Sequence, residues 1–165
     1  MRGHVLAAGI LCYGFDAVDF MMLALALPLL ISEWHLTLAE AGLMGTAGMA
    51  GVGLSGVALG WYADRHGRRR ALLASVVTFA LFTAALAFAR SRWDVMLLRL
   101  VAGLGLGGVW GSVAALVNES FPRAARARAI SWVLSAWPVG VSLAAVVAGV
   151  VLPRFGWRGL FLLGA

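Results

Sequence analysis

Long apolar runs separated by short polar stretches set the layout of the chain. The runs cover residues 5–32, 41–63, 71–89, 93–118 and 129–153, and a sixth opens near Gly159 and continues through 159–165. A bilayer core is crossed by about 20 residues of helix. Strands of this kind would leave unpaired backbone groups in hydrocarbon, so runs this long must be helical. The pattern predicts an all-α polytopic membrane protein with five transmembrane helices and the start of a sixth. The connections, 33–40, 64–70, 90–92, 119–128 and 154–158, hold most of the charge. The first run is too long for a signal-peptide core and carries Asp16 and Asp19, which predicts a retained first span.

Composition agrees. The chain of 165 residues is 62% hydrophobic and 12% charged, with a mean hydropathy of +0.95. A soluble domain carries about twice that share of charge. All 13 basic residues are arginines, and the net charge is +6. These arginines lie in the connections rather than along one face, which reads as orientation in a membrane and not as a nucleic-acid surface. Arg2, Arg65, Arg68, Arg69, Arg70, Arg123, Arg126 and Arg128 fall on one side; Arg90, Arg92, Arg154 and Arg158 fall on the other. The bias predicts a cytoplasmic N-terminus in the cytoplasmic (inner) membrane. Cys12 is alone, and His4, His35 and His66 are scattered, so neither a metal site nor a cofactor is expected.

Glycines recur in rows: Gly42, Gly45, Gly48 and Gly51, then Gly56 and Gly60, and in the fourth run Gly103, Gly107 and Gly111. Small residues at this spacing let helix backbones approach closely in lipid, which predicts tight packing of the second and fourth spans. Residues 103–108 also satisfy G-x-G-x-x-G, but that fingerprint needs a preceding strand and a βαβ unit, and neither is present.

Three ionisable residues stand inside the spans. Asp16 and Asp19 lie one turn apart and share a face with Tyr13. A carboxylate at mid-span costs about 2.5–3.5 kcal/mol on insertion scales, so a water-filled cavity, a cation or protonation must offset it. Arg99 lies about 10 Å inside the fourth helix. It could clamp a substrate carboxylate or neutralise Asp19 across the bundle; snorkelling to the interface is the structural alternative. The pair of aspartates and Arg99 are therefore the candidates for proton and substrate coupling. Tyr13 and Trp110 are candidates for lining a cavity. Trp34, Trp93 and Trp157 read as an interfacial belt, and Pro28 and Pro138 as bends.

The connection Gly60-Trp61-Tyr62-Ala63-Asp64-Arg65-His66-Gly67-Arg68-Arg69-Arg70 matches G-x-x-x-D-R/K-x-G-R-R/K-R/K, and resembles the signature loop of the major facilitator superfamily. Residues 99–108 are similar to that family's R-x-x-x-G-x-G-x-G-G. Glu119-Ser120-Phe121-Pro122 followed by Arg126 is similar to its E-x-x-P-x-x-x-R, and residues 155–158 resemble the turn before the sixth helix. Gly14-Phe15-Asp16 and Asp19-Phe20 resemble the first helix of organic-acid:proton symporters, such as the aromatic-acid and sialic-acid groups. Tyr13 stands where their D-G-F/Y-D begins with an acid.

The resemblance implies the N-terminal half of a twelve-helix carrier, present as a fragment whose C-terminal half is missing. It implies proton-coupled symport of a small organic acid or sugar-like metabolite, an anionic one among the candidates, by alternating access. Gly60, Asp64, Arg65, Gly67, Arg68, Arg69, Glu119 and Arg126 would form the cytoplasmic gating loop, with opposite charges at helix ends that pair in one conformation. The expected partners are this substrate, protons and membrane lipid. Residues 137–140 lack the fuller G-x-x-x-G-P-x-x-G-G of proton-driven efflux antiporters, which favours uptake. A non-transporting or regulatory half-transporter is the other alternative. No nucleophile–base pair or metal cluster suggests an enzyme.

Overall fold

The computed structural model describes residues 2–164, with the side chains of residues 2, 108 and 110 left outside the description. Six helices follow one another: α1 (Arg2–Trp34), α2 (Leu38–His66), α3 (Arg68–Leu86), α4 (Arg92–Ser120), α5 (Arg123–Leu134) and α6 (Ala136–Gly164). Five stretches are long and apolar enough to cross a membrane, α5 and α6 together forming the fifth. The chain is an all-α integral membrane protein. Outward-facing Leu54, Val57, Val77, Leu81, Leu97 and Val146 are more than half exposed, as lipid-facing positions should be.

Helix ends are specified differently at the two ends of the bundle. Thr37 opens α2 and Ser91 opens α4, each in a capping box with an acidic residue three positions on, Glu40 and Asp94. At the other end Gly67 precedes α3 and Pro122 precedes α5, and neither supplies a side-chain cap. Gly67 has φ of 92°, a conformation that favours glycine and lets α2 turn directly into α3.

The expected fifth run, 129–153, is not one straight helix. It is interrupted at Ser135, between α5 and α6. Pro138 explains the position: it has no N–H to donate, and its ring crowds the carbonyl four residues back, at Leu134. Pro28, by contrast, lies inside a continuous α1. A second break falls at Gly156, with φ of 65°, after which the chain turns back and runs helically to Gly164.

Helix α4 is the spine of the bundle, packed on α2 along one side and α3 along another, while α1 packs chiefly on α6. Three glycines of α4, Gly103, Gly105 and Gly107, make these contacts possible, the last closing on Val52 and Ser55 of α2. A Cβ on Gly103 would collide with the carbonyl of Gly48 in α2, and one on Gly105 would lie 2.7 Å from the Phe79 nitrogen in α3. Not every glycine of the expected rows packs in this way. A Cβ on Gly42, Gly45, Gly56, Gly60 or Gly111 would meet nothing within 4 Å; only the middle of the α2 row, at Gly48 and Gly51, faces α4.

One core cluster gathers Met22, Leu30, Met44, Leu86, Val95, Leu160 and Phe161. A second gathers Val109, Val113, Val117, Ala129 and Val133. Along α1 and α4, Asp16, Asp19 and Arg99 fall where these two apolar masses meet.

Candidate functional site

Helical spacing puts Asp19 on the buried stripe of α1, in register with Met22, Leu23, Ala26 and Leu30. The carboxylate is fully buried. Arg99 reaches it from the buried stripe of α4, and its Nη1 lies 2.7 Å from Asp19 Oδ2. Its Nη2 donates to the Asp19 backbone carbonyl at 3.4 Å. The third contribution comes from α3, where the Thr83 hydroxyl donates to Asp19 Oδ1 at 3.2 Å. Phe161 of α6 supplies a ring face 5.3 Å from the guanidinium carbon. Four helices thus converge on one ion pair. The guanidinium does not snorkel: Arg99 is 5% exposed. Its Nε is buried without an acceptor among the described residues.

A cavity of about 360 Å³ opens beside this pair, lined by Asp16, Asp19, Phe20, Gly48, Arg99 and Trp137 among mostly apolar neighbours. The volume suits a small ligand. The two aspartates are in different states. Asp19 is locked between Arg99 and Thr83, whereas Asp16 is half-buried and makes no hydrogen bond or ion pair among the described residues. Asp16 also lines a second cavity of about 300 Å³, shared with Cys12, Phe79 and Leu106.

Tyr13 packs beside the cavity wall. It does not line the cavity beside Asp19; its ring packs against Trp137 with centroids 5.3 Å apart. Trp137 is the residue that reaches the cavity, together with Phe20, which contacts the same indole at 5.8 Å. The side chain of Trp110 lies outside the described residues. Trp157 departs from the belt expectation. It is buried, and donates its indole N–H to Glu33.

At the far end, Asp64, Arg68 and Glu119 do meet. Arg68 lies 2.8 Å from Asp64 and 3.7 Å from Glu119, joining α2, α3 and α4. Arg126 instead donates its Nε–H to the Phe121 carbonyl at 2.9 Å, tying α5 to the end of α4. The Arg65 guanidinium lies over the Trp61 ring at 4.2 Å, and Arg69 is exposed. Gly60 is half-buried one turn before Asp64.

Sequence reasoning missed Thr83, Phe20 and Phe161. Thr83 had a legible signal, being a hydroxyl inside an apolar run and four residues after Phe79, which is itself buried. Nothing in the pattern marked Phe20 or Phe161 apart from other apolar positions.

Comparison with known proteins agrees with this architecture. The Niacin transporter NiaP of Acinetobacter baylyi is 38% identical over 150 residues, covering 91% of this chain and 34% of the relative. The Gentisate transporter of Corynebacterium glutamicum is 36% identical over 152 residues, 90% of this chain and 34% of the relative. The Cis,cis-muconate transport protein of Acinetobacter baylyi is 34% identical over 146 residues, 88% and 35%. The chain spans about a third of the length of these relatives. Residues 9–165 match the family profile of the Major Facilitator Superfamily. With its helices in place and a buried ion pair between the first and fourth, the chain belongs to the Major Facilitator Superfamily.

Proposed function

We propose that residues 1–165 are the N-terminal half-bundle of a secondary transporter that takes up a small organic acid together with protons. The observation that carries this reading is the Asp19–Arg99 pair on the wall of a mostly apolar cavity. A buried guanidinium can bind a carboxylate in bidentate fashion, and the indole of Trp137 and ring of Phe20 offer faces to a flat apolar body. Relatives named for niacin, gentisate and cis,cis-muconate point to the same substrate class.

The chemistry is an exchange of partners. While the cavity is empty, Asp19 neutralises Arg99. An entering carboxylate competes for the guanidinium, and Asp19, released into an apolar surrounding, takes up a proton rather than remain an unpaired buried charge. Thr83 stays within reach of either form, donating to the carboxylate or accepting from the acid. Asp16, facing two cavities, provides the second protonatable group between them. The substrate leaves chemically unchanged, and no cofactor takes part.

Alternating access follows the family scheme, in which two halves rock about a central site. The Asp64–Arg68–Glu119 chain holds one end of this half together in one conformation and parts in the other. That end is cytoplasmic in the inner membrane, with the N-terminus on the same side.

The test is uptake of labelled aromatic and aliphatic monocarboxylates by the full-length protein in proteoliposomes, with and without an inward proton gradient. Asp19→Asn should insert normally and lose gradient-driven uptake. Unchanged coupling in both Asp19→Asn and Asp16→Asn would overturn the proposal.

A further inference from the structure

The cavity beside the ion pair is elongated. Its α1 lining recurs at residues 16, 19, 20, 23, 24 and 27, a single helix face that runs about 16 Å at 1.5 Å per residue. Asp19 and Arg99 stand partway along this face and divide the cavity into two lobes. Gly48 lies beside Arg99, a Cβ there falling 3.8 Å from the Arg99 carbonyl, which fixes the register of α2 against α4. Toward the His66 end of α2 lie Asp16, Phe20, Val52, Leu106 and Trp137. Toward its Leu38 end lie Leu23, Ala24, Leu27 and Gly45.

The two lobes offer different surfaces. The first has aromatic faces and a carboxyl group; the second is lined by alkyl groups and bare backbone, with no polar side chain among the described residues. Gly45 is what leaves the second lobe open. A Cβ there would meet nothing within 4 Å, whereas one on Gly51 or Gly103 would run into a neighbouring backbone. Its φ is negative, so neither packing nor conformation calls for glycine at a helix position that disfavours it. What glycine provides at 45 is room. Gly42, Gly53, Gly56 and Gly60 are equally open but lie off the cavity. Arg99 stands where the lobes meet, with its Nε lacking an acceptor among the described residues. A carboxylate held by this guanidinium can therefore direct its body into either lobe.

We infer that the lobe beside Gly45 seats the unbranched alkyl chain of a carboxylate anchored at Arg99, and that Gly45 sets the length of chain admitted. The inference rests on the proposed uptake of organic acids and extends it from flat rings to straight-chain aliphatic acids. Rings lie against Phe20 and Trp137; chains lie against Leu23, Ala24 and Leu27. Both use one guanidinium, so the two kinds of acid exclude each other.

The test is displacement of labelled benzoate from the purified full-length protein in detergent by unlabelled butanoate, pentanoate, hexanoate, heptanoate and octanoate. Affinity should rise about fourfold with each methylene, as for transfer of a methylene out of water, and stop rising once the lobe is full. Gly45→Leu should bring that limit forward by at least one methylene. Ala24→Leu, on the opposite wall, should do the same and serves if the first variant fails to fold. Gly56→Leu, on α2 but off the cavity, should keep the native profile. In the native protein pentanoate should also displace benzoate better than trimethylacetate, its compact isomer. Absence of benzoate binding would overturn the uptake reading together with this inference. Benzoate binding that straight-chain acids do not displace, a length limit unmoved by Gly45→Leu and Ala24→Leu, a limit moved equally by Gly56→Leu, or trimethylacetate matching pentanoate would overturn the inference alone.

Discussion

Trp157 donates its indole N–H to Glu33 at 2.6 Å, joining residues 124 positions apart in the chain. Arg158 holds the other oxygen of the same carboxylate at 3.1 Å, and the Trp34 ring meets Trp157 edge-on at 5.5 Å. These contacts clamp the turn at Gly156 onto the end of α1. They fix where the last segment of α6 re-enters the bundle, and with it the position of Phe161 beneath Arg99.

Trp157→Phe keeps an aromatic ring but removes the donor and leaves a gap where part of the buried indole sat. The loss should therefore exceed the roughly 1 kcal/mol of one hydrogen bond. Arg158→Gln should cost less, as expected of an exposed pair. Thermal unfolding of the detergent-solubilised full-length protein separates the two, and a larger loss in Arg158→Gln would contradict the assignment.

Removing one member of the buried pair should cost far more than removing both. Arg99→Ala leaves Asp19 buried without a cation, at about 3–5 kcal/mol. The double change Asp19→Asn with Arg99→Gln should recover much of that stability while transport stays abolished. A double-mutant cycle on thermal stability, run beside uptake, distinguishes packing from coupling.

Thr83→Val preserves shape and deletes the hydroxyl that reaches Asp19 Oδ1. The expected loss is about 1–3 kcal/mol, the cost of leaving a buried acceptor short of a donor. Thr83→Ser should restore most of it. Stability of Thr83→Val equal to the native value would show that the hydroxyl is not bonded there.

Glycines that look alike in sequence should respond differently to the same substitution. Gly103→Ala and Gly105→Ala drive a methyl into the α2 and α3 backbones and should lower folded yield sharply, overpacking costing about 1–3 kcal/mol or more. Gly56→Ala and Gly111→Ala meet open space and should be neutral or mildly stabilising. Fluorescence-detected size exclusion of the four variants is sufficient to rank them.

Arg68→Gln opens the ties to both Asp64 and Glu119. Arg68 is one-third exposed and its partners more so, which limits the stability loss to below about 1 kcal/mol. Under the proposed gating role, uptake should fall much further than stability. Parallel losses in both measurements would assign the cluster a purely anchoring role.

Spans and family were legible because lipid imposes a coarse, strong rule on the sequence: each crossing must be long, apolar and helical. Asp19 and Arg99 were legible for the same reason, since a charge in such a run demands an explanation. Asp19 was the expected partner of Arg99, as one of two roles open to that guanidinium; the Thr83 donor and the unpartnered state of Asp16 among the described residues were not legible. Asp16 and Asp19 share a face at one-turn spacing, and only the placement of α4 and α3 decides that Arg99 and Thr83 both reach Asp19. The place of Trp137 on the cavity wall was not legible, because nothing local separates an indole that lines a cavity from one that fills a core. The open and packed glycines of α2 were equally indistinguishable, because a three-residue row winds gradually off one helix face, and sequence does not reveal where the neighbouring helix crosses.

The separation of 80 positions between Asp19 and Arg99 also imposes an order of events on biogenesis. At about 5–20 residues per second, translation delivers Arg99 roughly 4–16 s after Asp19. For that interval the first helix holds an acidic residue whose counter-ion has not yet been made. It must wait neutral, hydrated, or sheltered by the insertion machinery until α4 arrives. Completion of the ion pair is therefore a late step in assembly, and any delay between the first and fourth helices leaves α1 exposed to misinsertion.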